Sequence, residues 1–115
     1  MILDKPWGRV STYTLNQPAS VRIIQVQAGQ KTSLQYHQLR DELWVILDEG
    51  LRVQIGDEVT DAGPGDEFMV PAERPHRIIS TGAAGRVLEI AYGYTTEDDV
   101  VRLEDEYGRP LVPEW

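Results

Sequence analysis

Short runs of alternating apolar and polar residues, cut by glycine and proline, make up most of this chain. Residues 21–27 alternate, are rich in β-branched side chains and are broken by Ala28-Gly29-Gln30. Residues 32–37 and 42–48 are the next extended pieces, after which Glu49-Gly50 turns the chain into 51–55. Gly56-Asp57 makes the following turn, and 58–60 lead into Ala62-Gly63-Pro64-Gly65-Asp66. Residues 67–70 stop at Pro71, 77–80 follow His76, and 86–93 form a long last strand. Many short strands with closely spaced turn signals predict an all-β sandwich or small barrel. Before residue 95 no stretch carries a convincing helical period.

The tail reads differently. Thr96-Glu97-Asp98-Asp99 resembles a capped helix start, with acids where a helix N-terminus favours them. Val100, Leu103, Glu104 and Tyr107 follow at helical spacing, Gly108 suits the position after the last turn, and Pro110 prevents continuation. A short C-terminal helix is predicted, with the acidic runs Glu97-Asp98-Asp99 and Glu104-Asp105-Glu106 as its cap and solvated face. No repeat, linker or low-complexity segment divides the chain. A single domain over 1–115 is expected, with its core at about residues 20–94 and a tail over 95–115.

Composition narrows the function classes. With 115 residues, 41% hydrophobic and 26% charged, the chain can build an ordinary core without staples. It has no cysteine, which excludes disulfides, thiolate metal sites and cysteine nucleophiles. The start lacks a secretory apolar segment and no apolar run approaches membrane-spanning length, so a cytoplasmic protein without a membrane partner is expected. A net charge of −8 argues against nucleic acid, whose phosphates need a basic footprint. An anionic small ligand would have to be held by a local cluster of arginines, which are nine of the eleven bases.

Against that background one spacing stands out. Gln35-x-His37 places two ligand-type side chains on one face of an extended segment. Glu42 opens the apolar run Glu42-Leu43-Trp44-Val45-Ile46-Leu47; if that run is the next strand of a hairpin, its first side chain returns to meet the pair. His76 is the other histidine of the chain and would arrive from elsewhere in the fold. Two imidazoles, a carboxylate and an amide oxygen suit a divalent metal. Isolated residues of these types are more often surface groups or satisfied polar groups of a core.

The surrounding frame weighs toward the metal. Gly29, then Gln35, His37 and Glu42, then a glycine near position 50 outlines the first cupin motif; Gly65-x5-Pro71-x4-His76 outlines the second. The resemblance implies a double-stranded β-helix, a jelly-roll barrel, in which two hairpins aim inward-facing side chains at a common point. Pro6-Trp7-Gly8, Ser33-Leu34-Gln35-Tyr36-His37, Arg40-Asp41-Glu42-Leu43-Trp44, Val70-Pro71-x4-His76-Arg77 and the terminal Glu97-Asp98-Asp99…Tyr107-Gly108-Arg109 occur in this order. In this the chain resembles the C-terminal cupin domain of type II phosphomannose isomerases, usually fused behind a mannose-1-phosphate guanylyltransferase. The match runs from Pro6 to Arg109. With no nucleotidyltransferase domain in this sequence, nucleotide-sugar synthesis is not expected of it.

That resemblance implies a specific chemistry. Gln35, His37, Glu42 and His76 would bind one divalent ion, with Zn, Mn, Ni, Co and Fe all suited to the set. Arg40 would be the catalytic arginine of the Arg-x-Glu-x-Trp stretch, and Arg22 and Arg77 the candidate substrate-binding residues. Strict alternation nevertheless points Arg77 away from the metal and toward a structural pairing with an acid. Trp44 is read as barrel wall. The implied reaction is interconversion of mannose 6-phosphate and fructose 6-phosphate through an enediolate, and a homodimer is expected by analogy with small cupins. Several positions depart from the family: Gln38, Leu39 and Leu43 replace histidines, Ile79-Ser80 replaces Glu-Asn, and Arg22 replaces a lysine. These departures remove no metal ligand but reduce the acid–base and phosphate-binding groups. A non-catalytic sugar or sugar-phosphate binding cupin is therefore the alternative. A metal-dependent oxygenase, which the same donors would suit, is disfavoured by the family-specific tail.

Overall fold

The alternating runs become strands because each has one face to bury and a glycine or proline to end it. The computed structural model describes residues 1–109, and within them lie eleven strands and no helix. In chain order they are β1 (Ile2–Lys5), β2 (Gly8–Ser11), β3 (Ala19–Val26), β4 (Leu34–Tyr36), β5 (Glu42–Ile46) and β6 (Leu51–Ile55). β7 (Glu58–Ala62), β8 (Glu67–Val70), β9 (His76–Ser80), β10 (Gly85–Tyr92) and β11 (Val101–Glu104) follow. One sheet runs β3-β10-β5-β8, a second runs β11-β4-β9-β6-β7, and β1-β2 form a separate hairpin. Every pairing is antiparallel. This is the jelly-roll arrangement of a cupin. Among the described residues no helix is long and apolar enough to cross a membrane.

The two larger sheets share one core, and strand alternation decides what enters it. Trp44 and Ile46 of β5, Val87 of β10, Val53 of β6 and Ile78 of β9 are nearly sealed from solvent and form one cluster. The sheets close tightly at one point: a Cβ on Gly85 would lie 2.6 Å from Leu51 Cδ2, so any larger residue there would force the buried Leu51 side chain to move. Gly65, at φ +89°, makes the turn ahead of β8 that the second motif requires.

Two expectations need correction. The predicted C-terminal helix is absent, and β11 stands in its place, paired antiparallel with β4 (Val101 opposite Tyr36, Arg102 opposite Gln35). A helix there would bury one narrow stripe, whereas Val100-Val101 are β-branched and β4 offers a free edge that a strand can satisfy. Asp99 caps no helix; its carboxylate accepts the backbone N–H groups of Gln38 and Leu39 at 2.8 and 3.1 Å. Pro110, read as the helix stop, lies outside the described residues. The second correction concerns the proposed hairpin: β4 and β5 lie in different sheets, and the chain crosses between them over residues 37–41.

Candidate metal centre

That crossing builds the site between the sheets. Gln35 on β4 lies directly opposite His76, the first residue of β9, so both come from the five-stranded sheet. His37 follows β4 by one residue, and Glu42 opens β5 in the other sheet. His37, Glu42 and His76 are all buried, and one ligand atom from each lies within 4.8 Å of the others. His37 Nε2 is 3.4 Å from Glu42 Oε2, and His76 Nε2 is 3.9 Å from Glu42 Oε1.

The ring orientations suit a metal. His37 Nδ1 meets the carbonyl oxygen of Asp99 at 2.5 Å, and His76 Nδ1 meets that of Arg74 at 2.9 Å. A carbonyl oxygen can only accept, so each ring carries its proton on Nδ1 and turns an Nε2 lone pair inward. Backbone carbonyls orienting the far nitrogen are the usual support for metal-ligating imidazoles. Burial pushes the His76 pKa down to about 4, partly opposed by its bond to the Arg74 carbonyl, which keeps the ring neutral as a ligand must be. Trp44 closes the floor, its ring edge-on to His76 at 5.3 Å and its indole N–H donating to Glu42 Oε1 at 3.3 Å. Two imidazoles and a carboxylate converging in a buried pocket fit a divalent ion.

Arg40 reaches into the same cluster. Its Nε donates to Glu42 Oε2 at 2.8 Å, and a terminal nitrogen lies 3.2 Å from His37 Nε2. These are lone pairs a metal would use, so guanidinium and metal are alternative partners for those atoms. Gln35, whose Oε1 accepts from the Ser33 hydroxyl at 3.1 Å, lines the cavity that opens above the cluster. That cavity measures about 710 Å³.

Arg22 also lines the cavity, paired at 2.6 Å with Glu89 Oε1. Arg77 is not brought there. Its side chain leaves the opposite face of β9 and pairs with Glu104 at 3.1 Å and the Thr32 carbonyl at 3.1 Å. Glu89, a buried carboxylate on β10 facing the cavity, was missed by reading the sequence. Burial and the charge of Glu42 raise its pKa, against the pull of Arg22. The available signal was a single acid inside the apolar run Val87-Leu88-Glu89-Ile90-Ala91, with the right parity to face inward.

The departure at Ile79-Ser80 matters less than it seemed from sequence. Position 79 has the parity of Arg77, on the far face of the sheet from His76. Ser80 faces inward, but its hydroxyl is held by the Gly29 N–H and the Ala83 carbonyl, a structural role.

The two-sheet barrel and the donor cluster between its sheets define a cupin. Residues 2–105 match the family described as mannose-6-phosphate isomerase C-terminal, and the chain belongs to that family. It is 35% identical over 107 residues to the mannose-1-phosphate guanylyltransferase ManC of Salmonella typhimurium, covering 91% of this chain and 22% of that protein. The xanthan biosynthesis protein XanB of Xanthomonas campestris pv. campestris is also 35% identical, over 91% of this chain and 23% of its own length. The chain thus spans less than a quarter of the length of these relatives. Among solved structures it resembles a cupin superfamily protein from Desulfitobacterium hafniense DCB-2, with a TM-score of 0.58 and 23% identity, over 72% of this chain and 73% of that one.

Proposed function

We propose that the chain binds one divalent metal ion through Gln35, His37, Glu42 and His76 and interconverts mannose 6-phosphate and fructose 6-phosphate. The observation that carries this reading is the convergence of two Nε2 lone pairs and the Glu42 carboxylate beneath a cavity with cationic walls. A divalent ion bound there would polarise the sugar's carbonyl and hydroxyl oxygens and stabilise the charge of its enediolate. The protein's own residues supply the rest. Arg40, whose guanidinium lies against Glu42 and His37, would be released from those atoms by a bound ion and would then present positive charge where the enediolate oxygens would form. Glu89 is the carboxylate that can carry a proton between adjacent carbons: it faces the cavity, and burial and the charge of Glu42 raise its pKa. Arg22 holds it in position at 2.6 Å.

A coupled assay for fructose 6-phosphate, with Zn²⁺, Mn²⁺ or Co²⁺ supplied, tests the reaction; no turnover above background with any of them would sink it. Elemental analysis tests the metal shell separately: about one ion per chain is expected in the wild type and a large loss in His76→Ala. Stoichiometric metal retained by that variant would contradict the assigned ligands. The second reading, a sugar-phosphate binding cupin without turnover, draws on the departure from the family at Arg22, which replaces a lysine and is paired with Glu89. Its signature would be thermal stabilisation by mannose 6-phosphate in the absence of any product.

A further inference from the structure

Among the described residues, seven of the nine arginines pair with a carboxylate: Arg9 with Asp4, Arg22 with Glu89, Arg40 with Glu42, Arg52 with Asp61, Arg77 with Glu104, Arg86 with Asp48 and Arg109 with Asp105. Arg74 is exposed in the loop before His76. Arg102 is different. It is partly buried, it has no carboxylate partner among the described residues, and its Nε is sealed from solvent without a hydrogen bond. In a chain with eight more acids than bases, a guanidinium left without a counter-charge is conspicuous. A buried charged donor without a partner is costly, and such groups commonly mark a place for a ligand.

The register shows what Arg102 faces. Arg102 on β11 lies opposite Gln35 on β4, which in turn lies opposite His76 on β9. Residues paired across a ladder share a face, so His76, Gln35 and Arg102 form one inward-pointing row. Both Gln35 and Arg102 line the cavity. Two strand spacings separate the ends of that row, roughly 10 Å between the Cα atoms of His76 and Arg102. An open-chain hexose 6-phosphate has the same polarity, with its reacting C1–C2 unit at one end and a dianionic phosphate at the other. The neighbouring acids do not compete for Arg102. The Asp99 carboxylate is engaged by two backbone N–H groups, and Glu97 lies 3.7 Å from Arg22.

We infer that Arg102 is the phosphate anchor of this site, its planar fork of N–H donors binding the phosphate monoester while the sugar's other end reaches the His37–Glu42–His76 cluster. The sugar-phosphate identity rests on the function proposed above; the oxyanion seat itself does not. Strand β11 therefore has a role beyond extending the sheet, because it carries the anchor that distinguishes a phosphorylated sugar from a free one.

Calorimetric titration of the full chain with inorganic phosphate, mannose 6-phosphate and mannose tests the assignment in wild type, Arg102→Gln and Arg102→Lys. Arg102→Gln is expected to weaken both phosphate-bearing ligands by roughly 10- to 100-fold while leaving mannose unchanged. Arg102→Lys should fall between, since it keeps the charge but not the fork. Where turnover is measured, the loss should appear mainly in KM. If no turnover is seen in the wild type but the phosphate affinities still fall in Arg102→Gln, the isomerase reading fails and the anchor stands. Wild-type affinity for both phosphate ligands in a folded Arg102→Gln overturns the anchor. Should that variant not fold, the Arg102 Nε–H resonance of the wild type, assigned by its absence in Arg102→Lys, gives the same decision. It should shift on addition of inorganic phosphate, and a resonance that does not move overturns the inference.

Discussion

At His76 a single buried ring couples the candidate metal centre to the stability of the protein. Burial holds its pKa at about 4, against an ordinary value of 6.5. Above 6.5 the ring is neutral both folded and unfolded. Between 6.5 and about 4 the unfolded chain takes up a proton that the folded one refuses. Stability of the metal-free protein therefore falls as pH drops through that window, by an amount on the order of 3 kcal/mol at its lower end. Glu89 acts in the opposite sense: its raised pKa removes stability as pH rises past the ordinary carboxylate range. Urea midpoints of metal-free wild type and His76→Gln, measured in steps from pH 7.5 to 4, separate the two. The steep acid loss should flatten in the variant, and parallel profiles would refute the assignment to His76. Acid should also release bound metal, because protons compete for the Nε2 lone pairs.

At the scale of elements, the tail is where sequence and structure part. Val100, Leu103 and Tyr107 at helical spacing and an acidic cap fit a helix, but Val101 and Arg102 are held in a ladder with β4. A local pattern could not reveal that β4 had an unpaired edge, because the edge exists only once the barrel has formed. Asp99 shows the consequence, since it ties the chain entering β11 to the crossing between the sheets. Asp99→Ala should cost about 1–2 kcal/mol through the two lost acceptor bonds. For a domain of this size that lowers Tm by roughly 5–10 °C. Asp98→Ala, which removes an exposed acid without such bonds, should melt like wild type. Equal melting temperatures for the two variants would show that the clasp contributes nothing. The candidate ligands were legible for the reason the tail was not. Gln35 and His37 stand at strand spacing, and Glu42 and His76 stand at fixed distances from glycine and proline turns. What spacing could not show was that Glu42 comes from the opposite sheet, or that Glu89 and Arg22 meet across the β3–β10 ladder.

The molecule as a whole presents surface that a monomer would not be expected to leave open. Its Cα radius of gyration is 15.0 Å and its extents are 51 × 33 × 22 Å, against about 13 Å for a compact domain of this length. The β1–β2 hairpin shares no ladder with either larger sheet, and Ile2 and Trp7 on it are 60% and 74% exposed. A lone two-stranded hairpin is marginal in water. Strand β3 is the outer strand of its sheet, and Val21 and Ile23 project from it 60% and 59% exposed. An apolar edge strand left uncovered is a liability for aggregation, which a second copy of the chain would relieve. Light scattering should accordingly report a mass about twice the 13.0 kDa of the chain. Ile23→Lys places a charge on that face and should shift the protein toward monomer. Metal content should be unchanged in this variant, because Ile23 points away from the cavity while its neighbours Arg22 and Ile24 line it. A wild-type protein that remains monomeric at high concentration would refute the dimer and leave the exposed hairpin without a stabilising partner. A dimer that survives Ile23→Lys would instead move the contact off β3 and onto the hairpin, where Trp7→Ala is the corresponding substitution.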